Sequence, residues 1–187
     1  ERATNNIGYL GFHVEKEPFN DPVVRRAFNH AIDKEGLIAI LYGGLAETAK
    51  NTIPPGYLGY NDGIDEYSYD PELAKELLAE AGIEDGFTFD LWTMPVARPY
   101  MPDPQRAAEA IQANLADVGI TANIVTKEWA TYLEETEQGK HDVFMLGWSG
   151  VNGDPDYFFS NLLHGDAIPG GNRSFYSNEE VNDLLVQ

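Results

Sequence analysis

The sequence contains no cysteine, which removes disulfides, thiol nucleophiles and thiolate metal ligands from any account of it. It has no unbroken run of about 18 apolar residues, the length a membrane-spanning helix needs. Positive charge is scarce: 12 Lys and Arg against 31 Asp and Glu leave a formal charge of −19. A surface of that sign is repelled by phosphate backbones and anionic headgroups, so nucleic-acid and membrane-surface roles are set aside. The acid excess fits a salt-rich habitat or a merely soluble acidic surface, and composition does not choose between them. Glu1 opens the chain without an initiator Met or an export leader, and 178–187 reads as a helix cut short. The expectation is a piece of a longer protein.

Motifs for chemistry are equally sparse. The four histidines, His13, His30, His141 and His164, show no i, i+3 or i, i+4 pairing of the kind a helical zinc site uses. Asn61-Asp62-Gly63 with Asp65-Glu66 does not keep the ligand frame of an EF-hand, because Ile64 and its successors break it. Gly147-Trp148-Ser149-Gly150 places a Ser between glycines but is not a nucleophile elbow. No Walker loop or dinucleotide fingerprint occurs, and no nucleophile has a base beside it. The expectation is a protein that is not an enzyme and uses no metal and no cofactor.

What is present is a globular composition, 43% hydrophobic and 12% aromatic over 187 residues, enough for one sizeable core. Ile7 to Val14 reads as a strand. Asp-Pro pairs punctuate the chain at 21–22, 70–71, 103–104 and 154–155; Asp accepts from orphan amides of a first turn, and Pro suits that turn. Each is followed by apolar residues at helical spacing, such as Val24, Ala27, Phe28 and Ala31, or Ala107, Ala108, Ile111 and Leu115. Asp33 caps a further helix that stops at Gly43-Gly44. Ser177 with Glu180 reads as a capping box for the last helix, and 131–138 as a short amphipathic helix. Strands are expected at 87–92, 120–127 and 142–148. Helices alternating with strands in the second half imply one α/β domain over 1–187, with a mixed or parallel sheet flanked by helices.

Two segments are suited to binding. Met94 to Tyr100 follows a strand and sets Arg98 between prolines and beside Tyr100, an arrangement that can present a guanidinium to a carboxylate. Trp148 to Tyr157 follows another strand end, and ligands of α/β sheets gather at such ends. Its glycines let backbone groups approach a ligand, and Trp148 offers an apolar wall.

Read together, these segments resemble the dipeptide/oligopeptide-binding receptors of ABC importers, solute-binding protein family 5. The residues that carry the resemblance are Ile7-Gly8-Tyr9-Leu10 with Pro18-Phe19-Asn20-Asp21, and Val24-Arg25-Arg26-Ala27 through Ala31-Ile32-Asp33-Lys34. They continue through Ile53-Pro54-Pro55, Tyr69-Asp70-Pro71, Ala74-Lys75, Leu77-Leu78 and Glu80-Ala81-Gly82. Met94-Pro95-Val96 with Arg98-Pro99-Tyr100, and Gly147-Trp148-Ser149-Gly150 with Asn152-Gly153-Asp154-Pro155-Asp156, look like the dipeptide branch. Order and spacing over nearly the whole chain make the match specific.

The resemblance implies one lobe, the second, of a two-lobe type II periplasmic-binding-protein fold. It implies an extracytoplasmic receptor, in the periplasm or lipid-anchored outside the membrane, that closes on a peptide or related small solute. That receptor would work as a monomer and dock on an ABC-transporter membrane permease; a sensory lobe, or a receptor for a metal chelate or sugar, is the alternative. Arg98 takes the position of the Arg that grips a peptide carboxylate. Ligand contacts are expected from Arg98, Tyr100, Met94, Trp148, Ser149, Gly150, Val151, Phe12 and His13. Two positions depart from the branch: Val151 stands where an Asp normally pairs with the peptide ammonium, and His13 where an Asn normally follows the Phe. These favour a carboxylate-bearing solute without an α-ammonium at that point.

Overall fold

The computed structural model describes residues 5–151 and 153–186. Seven α-helices and four strands alternate among them: β1 (Asn6–Phe12), α1 (Pro22–Ala31), α2 (Lys34–Tyr42), α3 (Pro71–Glu80), β2 (Thr88–Thr93), α4 (Pro104–Asp117), β3 (Thr121–Thr126), α5 (Trp129–Glu137), β4 (Val143–Ser149), α6 (Asp156–Leu162) and α7 (Glu179–Leu185), with a 3₁₀ turn at Gly165–Ala167. The strands form one mixed sheet in the order β1-β4-β2-β3. β2 runs parallel to β3 and β4, whereas β1 runs antiparallel to β4 with Asn6 opposite Ser149 and Phe12 opposite Val143.

The Asp-Pro signals act as read for α1, α3 and α4: Asp21, Asp70 and Asp103 each accept a backbone N–H of the first turn, from Val23, Leu73 and Arg106. Three helix starts differ from expectation. α5 begins at Trp129, not 131, because the Glu128 carboxylate reaches Ala130 N and Thr131 N. α7 is capped by the Asn178 side chain on Val181 N, so Ser177 is not its cap; Asn is as good a cap as Ser and sits one residue closer. Asp154 binds the amide of Asp156, while Pro155 holds the cap position of α6.

Alternation along each strand divides the sheet into two faces. One carries Phe12, Leu91, Phe89, Val143 and Met145 and packs beneath α1 and α4, with Phe12, Phe19, Phe28 and Phe89 in stacked and edge contacts. The other carries Phe144 and Trp92 and receives α5. Tyr132, fully buried, donates to Met145 O at 2.7 Å, stands 3.2 Å from Trp92 O and accepts from Met145 N at 3.2 Å. One phenol thus joins α5 to both central strands. A smaller cluster of Ile7, Ile53, Tyr57, Phe158 and Leu162 seats α6 and the 51–60 connection.

The second face also buries His141, 4.6 Å edge-on from Phe144, with Nε2 at 3.0 Å from Arg173 O. Arg173 is itself buried and donates to Gly170 O, Leu133 O and the Glu137 carboxylate. Burial, aided by the nearby charges of His13 and Lys16, pushes His141 from the usual 6.5 down to about 3. The unfolded chain takes up this proton and the folded chain refuses it. The stability that neutral His141 contributes is therefore complete above about pH 6.5 and is lost progressively as pH falls towards about 3. Urea midpoints measured across that range are expected to fall less steeply in His141→Gln than in the native chain; equal slopes would show that another group controls the loss.

Candidate functional site

β2 and β4 are parallel neighbours, so their carboxyl ends lie side by side on one edge of the sheet. The Met94–Tyr100 segment leaves one and the Gly150–Val151 turn leaves the other. Ridge contacts tie the two together. Gly8 and Gly147 pair across β1 and β4, and the missing side chains leave room for the Tyr100 ring and carbonyl. A Cβ on Gly147 would strike that ring and one on Gly8 the Tyr100 carbonyl. Tyr42 donates its hydroxyl to the same carbonyl at 2.6 Å.

Arg98 occupies a tight turn, with its N–H bonded to Met101 O at 3.0 Å and its C=O accepting from Met101 N at 2.9 Å. Met101 is buried and anchors the turn. The guanidinium carbon of Arg98 lies 4.6 Å above the centroid of the Trp129 indole, a contact worth about 0.5–2 kcal/mol depending on desolvation. Lys127, the other cation at this edge, lies 4.1 Å over the Trp92 ring and is ion-paired with Glu135. No acidic side chain pairs with Arg98 among the described residues. Tyr100 is half-buried and its phenol is pushed upward, desolvation outweighing the opposing Arg98 charge.

Beyond β4, Trp148 is half-buried against Tyr157, ring centroids 5.5 Å apart, and Ser149 is exposed. Gly150 donates to Asn5 O at 2.7 Å and lies against the Tyr57 hydroxyl and Phe158. Val151 is 74% exposed. Asn152, part of the same motif, lies outside the described residues.

The structure thus gathers Arg98, Tyr100, Trp148, Ser149, Gly150 and Val151 on one sheet edge. It separates Phe12 and His13 from them. β1 is antiparallel, so these two emerge beside Val143 and Asp142 at the opposite end of the sheet, six residues or about 20 Å away at strand rise. Phe12 packs on Phe19 and Phe28, and buried His13 stacks on Phe175 at 4.3 Å. Met94 is also turned into the core, 1% exposed. His13 and Met94 are buried in packing, while Phe12, half-buried, packs on its neighbours and also lines a cavity along β1. Trp129 went unread in the sequence; its signal was a large aromatic next to a capping Glu128, just ahead of the expected helix.

A cavity of about 1100 Å³ runs along β1 beneath α2 and the 44–55 connection. It meets the site at Pro99, Tyr100 and Met101. No group of three or more metal-ligating side chains occurs among the described residues, and none of their helices is long and apolar enough to cross a membrane.

Residues 1–170 match the family model described as bacterial extracellular solute-binding proteins, family 5, middle section. The chain belongs to this family. The family 5 chain is 49% identical over 181 residues to the dipeptide-binding protein of Escherichia coli, covering 96% of this chain and 34% of that protein. It is 46% identical over 185 residues to heme-binding protein A of Haemophilus influenzae, covering 99% of this chain and 34% of that protein. In structure it matches the dipeptide-binding protein of a Pseudoalteromonas species, solved with Met-Leu, at a TM-score of 0.94 and 40% identity, over all of this chain and 37% of that one. The chain therefore spans about a third of the length of these relatives. Such neighbours carry the type II periplasmic-binding-protein fold, and the mixed sheet with flanking helices is one portion of it.

The turn after β4 gives a direct test of packing at the family 5 site. The Tyr57 hydroxyl is buried without a hydrogen-bond partner among the described residues and blocks any side chain at Gly150. Gly150→Ala is expected to cost about 1–3 kcal/mol, the range for overpacking. Tyr57→Phe should leave the melting temperature unchanged or higher, and the double variant should regain part of the loss. Additive melting shifts would show that the two groups do not compete for the same space.

Proposed function

We propose that residues 1–187 form one lobe, the second, of an extracytoplasmic receptor that delivers a small carboxylate-bearing solute, a short peptide or a close relative, to the membrane permease of an ABC importer. The protein binds and does not catalyse. It works as a monomer, in the periplasm or anchored by lipid outside the membrane.

One observation carries this reading: Arg98, without an acidic partner among the described residues, is held on the same sheet edge as the Trp148–Gly150 strand terminus. A guanidinium offers paired in-plane donors that suit a carboxylate, and a chain of charge −19 has few other places to receive an anion. Peptide chemistry is supported by the relatives, named as dipeptide-binding or solved with Met-Leu. Val151, apolar and exposed, offers nothing to an α-ammonium, whose burial without a partner costs several kcal/mol. The favoured ligand therefore carries its carboxylate to Arg98 and a blocked or displaced amine at Val151. Phe12 and His13 are not assigned to the ligand.

Calorimetry on the full-length two-lobe protein with Met-Leu, N-acetyl-Met-Leu and N-acetyl-Met-Leu amide tests each part. The acetylated acid is expected to bind at least as well as the free dipeptide, and the amide to bind poorly. Arg98→Ala should cost about 2–5 kcal/mol towards the acid, the range for truncating one partner of a buried charge pair. Unchanged affinity in Arg98→Ala removes the grip assigned to that residue. A clear preference for free Met-Leu removes the reading of Val151.

A further inference from the structure

We infer that Trp129 is the positioning residue of the site: its indole fixes the plane of the Arg98 guanidinium before any ligand arrives. The inference rests on the role proposed above for Arg98, and it concerns a residue to which no binding role has been attached.

The geometry is a run of contacts from Arg98 through Trp129 to Tyr132. The Arg98 guanidinium lies 4.6 Å over Trp129, and Trp129 in turn lies on Tyr132 with ring centroids 5.7 Å apart and planes 10° from parallel. Tyr132 does not move, because its hydroxyl is bonded to the backbones of β2 and β4 and its ring is fully buried. Trp129 does not slide, because it is the first residue of a helix whose opening turn is tied by the Glu128 carboxylate to Ala130 N and Thr131 N. Arg98 is fixed at its other end by the two backbone bonds to Met101. Both ends of a flexible side chain are thereby held, one by a turn and one by an aromatic platform.

Two consequences follow for recognition. A guanidinium placed over an indole uses its face there and keeps its N–H donors in the plane; one is turned to the Tyr100 phenol, and the others remain for a carboxylate. Lys127, two residues before Trp129, sits over Trp92 but is already paired with Glu135, so its charge is not open to a ligand in the same way. A preorganised fork binds more tightly because less side-chain freedom is lost on binding.

Two measurements on the full-length protein decide the matter. The first needs no ligand: ¹⁵N relaxation of the Arg98 Nε–H, with selectively labelled arginine. The order parameter is expected to approach that of rigid backbone, about 0.85, and to drop below about 0.6 in Trp129→Leu, while Trp129→Phe, which keeps a platform, retains most of the order. Equal order in the native protein and Trp129→Leu overturns the inference.

The second is a double-mutant cycle with N-acetyl-Met-Leu. Trp129→Leu should weaken binding about tenfold, or about 1.4 kcal/mol, with Trp129→Phe closer to native. In the Arg98→Ala background the same change should have no further effect, since a merely structural loss would persist there. A persistent tenfold loss also overturns the inference. If the native protein binds neither the acetylated nor the free dipeptide, the functional reading falls while the relaxation measurement still decides the role of Trp129.

Discussion

The site depends on a void. Gly8 and Gly147 face each other across β1 and β4 and offer no side chain, so the Tyr100 ring can lie directly on the sheet. Without that space the turn bearing Arg98 would stand off from β4, and the guanidinium would leave the Trp148 terminus behind. Two absent side chains place one charged one. The aromatic ring that fills the space is also the residue whose carbonyl Tyr42 holds, so α2 shares in fixing the same turn.

A second dependence runs through Tyr132. Its hydroxyl sits among backbone groups of β2 and β4, where any partner left unsatisfied would be costly. The same ring underlies Trp129. The strands that define the sheet edge and the helix that carries the indole are therefore held by one group, and the fold and the site share their fastening. Arg173 performs a similar service on the far side, joining α5 to the 170–173 segment through carbonyls of Leu133 and Gly170.

Much of this was legible beforehand. Helix starts followed from Asp-Pro chemistry at 21, 70 and 103, where a local side chain decides the outcome within three residues. The strand ends bearing Arg98 and Trp148 followed from apolar runs closed by Pro and Gly. Less legible were features set by direction and distance. Placing Phe12 and His13 in the site required β1 to run with β4; it runs against it, and antiparallel pairing reverses which end of a strand is near. Met94 looked available because it begins the Arg98 segment, yet it still follows strand alternation inward. Trp129 was hidden because its partner lies 31 residues away in a turn, a contact that no periodicity reports.

The antiparallel course of β1 has a mechanical outcome. The strand begins where the binding turn ends: Asn6 faces Ser149, and Asn5 O holds the amide of Gly150 at 2.7 Å. The polypeptide enters the sheet beside the carboxyl ends of β2 and β4 and only afterwards travels away from them. Any tug along β1 is felt first at Gly150, so strain in the entering strand passes straight to the turn that follows β4.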